Sequence, residues 1–245
     1  MKIIITGATG RMGKALATAA EKDAAVEVAA FVSPEFTTTD ETHCLQLADF
    51  AGEADCVVDF SHHAATAALL DYCVERRLPV VIATTGQTEE ELALINEAAK
   101  KIPVFRSANM SLGVAFLRQI AKKAAALFPD ADVEIVETHH NQKLDAPSGT
   151  ALMLGNAILE ARPEAELTFG RSGFGKRNKN EVGIQAVRMG NQVGTHSVYI
   201  DTGAETITLT HTANDRALFA DGALQAAKYL LGKAPGLYDM RGLVE

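Results

Sequence analysis

The sequence predicts an α/β protein, with a helix-covered parallel sheet in its amino-terminal part and a smaller α+β part after it. Three observations predict this. Short apolar runs alternate with amphipathic helical stretches from the start of the chain. A turn carrying Gly7, Gly10 and Gly13 follows the first apolar run, and period-2 strands with a hairpin signal come only late, around Val198 to Leu209.

Taken in order, Ile3 to Thr6 reads as a strand and Gly10 to Lys22 as a helix. Val26 to Val32 and Cys56 to Phe60 read as strands and Ala64 to Arg76 as a helix, followed by a strand from Val80 to Ala83 and a helix from Glu89 to Lys100. Such alternation places strands side by side in parallel with helices as crossovers. A short strand from Val104 to Arg106 and an amphipathic helix from Leu112 to Leu127 follow, with Asn109 to Gly113 as the crossing into the second part. Val133-Glu134-Ile135-Val136-Glu137 alternates apolar and acidic residues, the pattern of a strand. Val198 to Asp201 and Glu205 to Leu209 are period-2 strands joined through Thr202-Gly203-Ala204, and Leu218 to Leu231 is a last amphipathic helix. Gly170 to Lys179 is Gly-rich and basic, and reads either as a solvated surface loop or as a mobile one.

Composition narrows the function. A chain of 245 residues, 47% hydrophobic and 22% charged, can bury a substantial core in one large or two small domains. No apolar run approaches the ~20 residues of a membrane span, and the chain opens directly on a strand rather than a signal peptide, so a cytoplasmic location without a membrane partner is expected. Cys44, Cys56 and Cys73 are odd in number, widely spaced and set among apolar residues, as free buried thiols in a reducing compartment would be. The formal charge of -8, with no basic stripe, argues against a nucleic-acid partner. An anionic small substrate must therefore be met by locally placed cations.

Two segments carry chemistry. Gly7-x-x-Gly10-x-x-Gly13 lies between a strand and a helix, where glycines permit a tight turn and close approach of backbone to a pyrophosphate. Glu134 to Ala151 brings together His139, His140, Lys143, Asp145 and a Ser148-Gly149-Thr150 turn after Pro147. Ser148 is placed as a helix N-cap, leaving the first-turn N–H groups of Gly149 and Thr150 and the helix dipole to form an anion site. Helix capping accounts for Ser148 but not for the histidines and the lysine, which point to proton transfer beside a bound anion. His62-His63 reads as loop residues leading into a helix, although its place at a strand end also allows proximity to a cofactor. No metal is expected at either histidine pair, since adjacent residues of a strand point apart and no further ligand motif completes a site. Tyr229-x-x-x-Lys233 matches the spacing of a dehydrogenase catalytic pair, but Gly232 places it at a helix end.

The run His139-His140, Lys143 and Asp145-Ala146-Pro147-Ser148-Gly149-Thr150-Ala151 resembles the signature of the 4-hydroxy-tetrahydrodipicolinate reductase (dihydrodipicolinate reductase) family. The resemblance extends through Gly7 to Gly13, Ala83 to Gly86, Ser107 to Ser111, Val193 to His196 and Gly236 to Met240. It implies a Rossmann-like dinucleotide-binding domain over residues 1–109, a substrate-binding and oligomerisation domain over 110–215, and a helix and tail over 216–245 that return to the first domain. It also implies NAD(P)H-dependent reduction of a cyclic imine to tetrahydrodipicolinate in diaminopimelate and lysine biosynthesis, a small dicarboxylate substrate, a homotetramer and domain closure. By motif matching, His139 is the general acid/base and Lys143 a second proton donor, while His140, Ser148, Gly149 and Thr150 hold substrate. The cofactor falls to Gly7, Ala8, Thr9, Gly10, Arg11, Met12, Ala83, Thr84, Thr85, Ser107, Ala108, Asn109 and Met110. Asp23 to Glu75 contains no lysine or arginine to meet a 2′-phosphate, a departure from the family pattern, so NADH is favoured over NADPH. Two other readings stay open: a different nicotinamide enzyme of similar plan, such as an aspartate or homoserine dehydrogenase, and a dinucleotide sensor without activity.

Overall fold

The structure, a computed structural model, describes residues 1–245, which divide into two compact units. The first comprises Met1–Ser111 and Arg216–Leu243 and the second Leu112–Asp215.

In the first unit seven strands, β1 (Lys2–Thr6), β2 (Glu27–Val32), β3 (His43–Cys44), β4 (Cys56–Asp59), β5 (Val80–Ile82), β6 (Pro103–Arg106) and β12 (Gly236–Tyr238), form one sheet in the order β12-β6-β5-β4-β1-β2-β3. Every pairing is parallel. The helices are α1 (Arg11–Glu21), α2 (Thr66–Arg76), α3 (Glu89–Ala99) and α6 (Ala217–Leu230). Ile3, Ile4, Ile5, Val57, Val58, Val80, Val81 and Ile82 are fully buried, because a central parallel strand is covered on both faces and reads as an unbroken apolar run. Strand order reverses between β1 and β4, which opens a crevice beyond their carboxyl ends.

The second unit is a mixed sheet in the order β11-β10-β7-β9-β8, built from β7 (Asp132–His139), β8 (Glu166–Phe169), β9 (Glu181–Arg188), β10 (Gly194–Asp201) and β11 (Thr206–Ala213). Helices α4 (Leu112–Leu127) and α5 (Gly149–Ala161) pack against each other and against the sheet. Leu117, Ala121, Leu154 and Ile158 meet Val133, Ile135, Ile184 and Val198 in one cluster. Along β7 burial alternates, with Val133, Ile135, Glu137 and His139 buried and the residues between them partly exposed. The face that carries core at Val133 and Ile135 thus carries polar groups at its far end.

Most helices fall within a residue or two of the periodicity reading, as fraying ends allow. Larger differences have physical causes. The strand read over Val133 to Glu137 continues through His139, held by pairing with β9 and β10. β9 escapes the pattern reading because Glu181 to Ile184 is buried without alternation, and β8 because its four residues include no buried one. β3 and β12 are too short to show a period. The Gly170 to Lys179 loop is tied down at one end, where Arg177 donates to Asp132 Oδ1 at 2.8 Å and to the Val133 carbonyl at 3.2 Å. Tyr229 packs edge-on against Phe105 and Tyr238, with Lys233 Nζ 4.2 Å over its ring, an arrangement of packing rather than of a catalytic pair.

Candidate active site

The crevice residues of the first unit come from the carboxyl ends of β1, β5 and β6. Gly7 adopts φ +70°, and a side chain there would run into the Phe60 carbonyl. At Gly13 a side chain would strike the Gly7 carbonyl, so two glycines let the β1–α1 turn close. Gly10 caps α1 with no side-chain hydrogen bond, and the first turn holds no acidic residue, which leaves the amino end of α1 to an anion. Ala8 is fixed by its N–H to the Val32 carbonyl at 3.2 Å, while Arg11 is exposed and Met12 half-buried at the start of α1. Ala83, Thr84 and Thr85 follow β5, and Ser107 to Met110 follow β6. Thr84 Oγ1 is buried without a partner, and a bound nicotinamide nucleotide offers polar groups to such an atom. Glycine turn, open helix end and orphaned hydroxyl fit a dinucleotide.

The end of β2 brings Glu35 to this turn. Thr9 Oγ1 donates to Glu35 Oε2 at 2.7 Å and lies 2.8 Å from Ser33 Oγ, which draws Glu35 back over the Gly7 turn despite Pro34. His62 and His63 sit beyond β4. His62 Nδ1 accepts from the Ala64 N–H at 3.2 Å, capping a short turn, and His63 Nδ1 lies 3.0 Å from Glu91.

In the second unit the chemistry collects at the end of β7. Cross-strand register sets His196 of β10 opposite Glu137 and Arg188 of β9 opposite His139, all on the face that α5 covers. Glu137 is fully buried, and His139 Nδ1 lies 2.5 Å from its Oε2. Arg188 grips the same carboxylate with both Nη atoms at 2.8 Å, and the Ser148 N–H donates to Oε1 at 3.0 Å. Burial opposes ionisation of Glu137, but these donors outweigh it and hold its pKa below the usual range. Burial also lowers His139, against the pull of Glu137. A ring His of this kind is neutral at rest. Beside it, burial pushes His196 down to about 4.

Ser148 caps α5 as its sequence position predicts, its Oγ accepting from the Ala151 N–H at 3.2 Å and lying 3.1 Å from His196 Nε2. Gly149, the first residue of α5, stands in open space, with nothing within 4 Å of where a side chain would begin. Thr150 follows in the same turn. His140, the residue after β7, is partly exposed, and its N–H donates to the Gln192 carbonyl at 2.9 Å. Lys143 lies in the connecting loop, with Nζ 2.8 Å from Asp145 Oδ1. Asp145 is tied in turn, its carbonyl accepting from Arg188 Nη2 at 2.6 Å.

His139, Lys143 and the Ser148 turn therefore belong to one cluster, joined by Glu137, Arg188 and His196, to which the sequence reading gave no role. Glu137 was hidden in an alternating acidic pattern that reads as solvent-facing, and Arg188 lies on a strand that no periodicity marked. His196 had a signal in the Val193 to His196 segment, without a role attached.

Comparison with known proteins places the whole chain. A family model described as the N-terminus of dihydrodipicolinate reductase matches residues 1–110, and one described as its C-terminus matches residues 113–244. The 4-hydroxy-tetrahydrodipicolinate reductase of Caldanaerobacter subterraneus is 47% identical over 247 residues, covering 100% of this chain and 98% of its own. That of Clostridium tetani is 42% identical over 246 residues, with 98% and 95% covered. Among solved structures, a dipicolinate-bound dihydrodipicolinate reductase from Paenisporosarcina superposes with a TM-score of 0.81 at 24% identity, over 98% of this chain and 97% of that one. A probable dehydrogenase from Thermotoga maritima shares the fold more distantly, with a TM-score of 0.60 at 11% identity over 97% and 91%.

Proposed function

This chain belongs to the dihydrodipicolinate reductase family, and from that premise we propose which residues carry its reaction. The reaction is the NAD(P)H-dependent reduction of the cyclic dihydrodipicolinate-type imine to tetrahydrodipicolinate, on the diaminopimelate route to lysine. When bound, the nicotinamide supplies a hydride to the ring carbon that carried the departing hydroxyl. Everything else is proton handling and orientation.

His139, neutral and hydrogen-bonded through Nδ1, is the general acid/base, and Lys143 is a second proton donor. Loss of the hydroxyl as water needs a proton for the oxygen and a base for the adjacent C–H, and the reduced ring then needs a proton back. A neutral imidazole and an ammonium group together supply both directions. Substrate carboxylates are held by His140, Ser148, Gly149 and Thr150 at the amino end of α5, supported by the open space at Gly149. A small dicarboxylate matches this site, as does the dipicolinate bound to the Paenisporosarcina protein. Gly7 to Met12, Ala83 to Thr85 and Ser107 to Met110 hold the dinucleotide. The single observation that carries this reading is the Glu137–His139 contact beside the Ser148 cap.

NADH is the preferred cofactor. The Glu35 carboxylate, held against Thr9, suits a ribose hydroxyl and repels a 2′-phosphate, and no cation lies between Asp23 and Glu75. Cytoplasmic location and a homotetramer complete the proposal. No helix is long and apolar enough to cross a membrane. The test is a coupled assay following nicotinamide absorbance with enzymatically generated substrate, run with each cofactor. NADH should give a kcat/KM at least equal to that of NADPH. An NADPH preference above about tenfold, ~1.4 kcal/mol, overturns the cofactor assignment.

A further inference from the structure

We propose that Glu137 is the positioning residue of this reaction centre, a single buried carboxylate that fixes both the proton-transfer ring and the anion-binding turn. The proposal rests on the reading of His139 as the acid/base. Each oxygen of Glu137 has two donors: Oε2 faces His139 Nδ1 at 2.5 Å and Arg188 Nη1 at 2.8 Å, while Oε1 faces Arg188 Nη2 at 2.8 Å and the Ser148 N–H at 3.0 Å. A carboxylate so surrounded is held ionised near neutral pH, so the proton of the neutral imidazole sits on Nδ1 and the lone pair on Nε2. Gly194 keeps that nitrogen clear, since a side chain at 194 would begin 2.8 Å from Nε2. The same carboxylate holds the residue that caps α5, and Arg188 extends the grip to the Asp145 carbonyl next to Lys143. Ring and anion site therefore move as one piece.

The charged and titratable groups facing His139 are Glu137 of β7, Arg188 of β9, His196 of β10 and Lys143 of the following loop. Removing the carboxylate and removing the guanidinium should shift its titration in opposite directions. Glutamine cannot substitute, because its amide places a donor against a donor at whichever oxygen position it takes. If the amide nitrogen faces His139, the ring must accept at Nδ1 and carry its proton on Nε2.

The experiment combines ring ¹⁵N spectra of histidine-labelled protein without substrate and pH profiles of kcat/KM. Wild type should show His139 with its proton on Nδ1. Glu137→Gln should populate the Nε2–H form, lose turnover by about 10²–10⁴-fold, and move the acid limb of kcat/KM to lower pH. Arg188→Met should keep the Nδ1–H form and move the acid limb to higher pH. It also tests the contact should Glu137→Gln fail to fold. An unchanged Nδ1–H tautomer in folded Glu137→Gln overturns the proposal, as does its loss in Arg188→Met or an acid limb that moves the same way in both variants. If the tautomer switches as expected while His139→Ala retains turnover, the positioning contact stands and the assignment of His139 as acid/base falls.

Discussion

His139 and His140 are neighbours in sequence and differ in nearly everything that matters to chemistry. One is buried, bonded to a carboxylate and neutral; the other is partly exposed and lies just past the end of β7. His139→Ala removes the proposed acid/base while leaving the proposed carboxylate site, so its loss should fall on kcat, by about 10²–10⁴-fold, with KM little changed. His140→Ala should chiefly raise KM. Lys143→Ala should affect both, because it removes a proton donor and a charge facing a dianion, whereas dinucleotide affinity should stay near wild type. Steady-state kinetics with each substrate varied reads all of these. Near-normal kcat in His139→Ala together with its collapse in His140→Ala would reverse the roles. The residue types and their spacing were legible in the sequence. Which histidine is oriented, and by what, was not, because Glu137 lies in a run where acidic residues look like the wet side of a strand.

At the scale of elements, α5 and the β1–α1 turn form the two proposed anion sites by different means. α5 is capped by a side chain, so Ser148→Ala should destabilise the protein by about 1 kcal/mol and also weaken binding of pyridine-2,6-dicarboxylate. Thermal unfolding and inhibition constants measure the two effects separately. Pyridine-2,6-dicarboxylate should compete with substrate, and picolinate, with one carboxylate, should bind more weakly. Equal inhibition by the two would mean that only one carboxylate is read. The α1 turn has no side-chain cap and depends on glycines instead. Gly13→Ala should abolish dinucleotide binding, because its methyl group meets the Gly7 carbonyl rather than solvent. Retained NADH affinity by calorimetry would refute this. The glycine spacing marks the turn in the sequence, whereas β9 carries no such mark because Glu181 to Ile184 is buried without a period.

Across the whole molecule, buried titratable groups tie stability to pH. His196 is neutral when folded, its pKa pushed down to about 4, while an unfolded histidine titrates near ~6.5. The unfolded chain therefore binds more protons between those values, so stability is full above ~6.5 and is lost progressively as pH falls toward about 4, by on the order of 3 kcal/mol. Glu137, lowered by its donors, acts in the same direction as it protonates. Chemical denaturation between pH 7 and 4.5 should show a smaller loss in His196→Gln than in wild type. Equal slopes would mean that His196 does not contribute.

The sequence by itself determined the parallel and α+β character of the chain, the glycine turn, the helix cap at Ser148 and the segment proposed here for proton transfer. These are local properties, written in residue periodicity, capping chemistry and motif spacing within a few turns of chain. Only the tertiary structure decided that Glu35 folds back onto Thr9 and that Glu137, Arg188 and His196 close around His139. Those contacts join residues brought together by strand register, and register is set by how whole faces bury against α4 and α5. No window along the chain contains it.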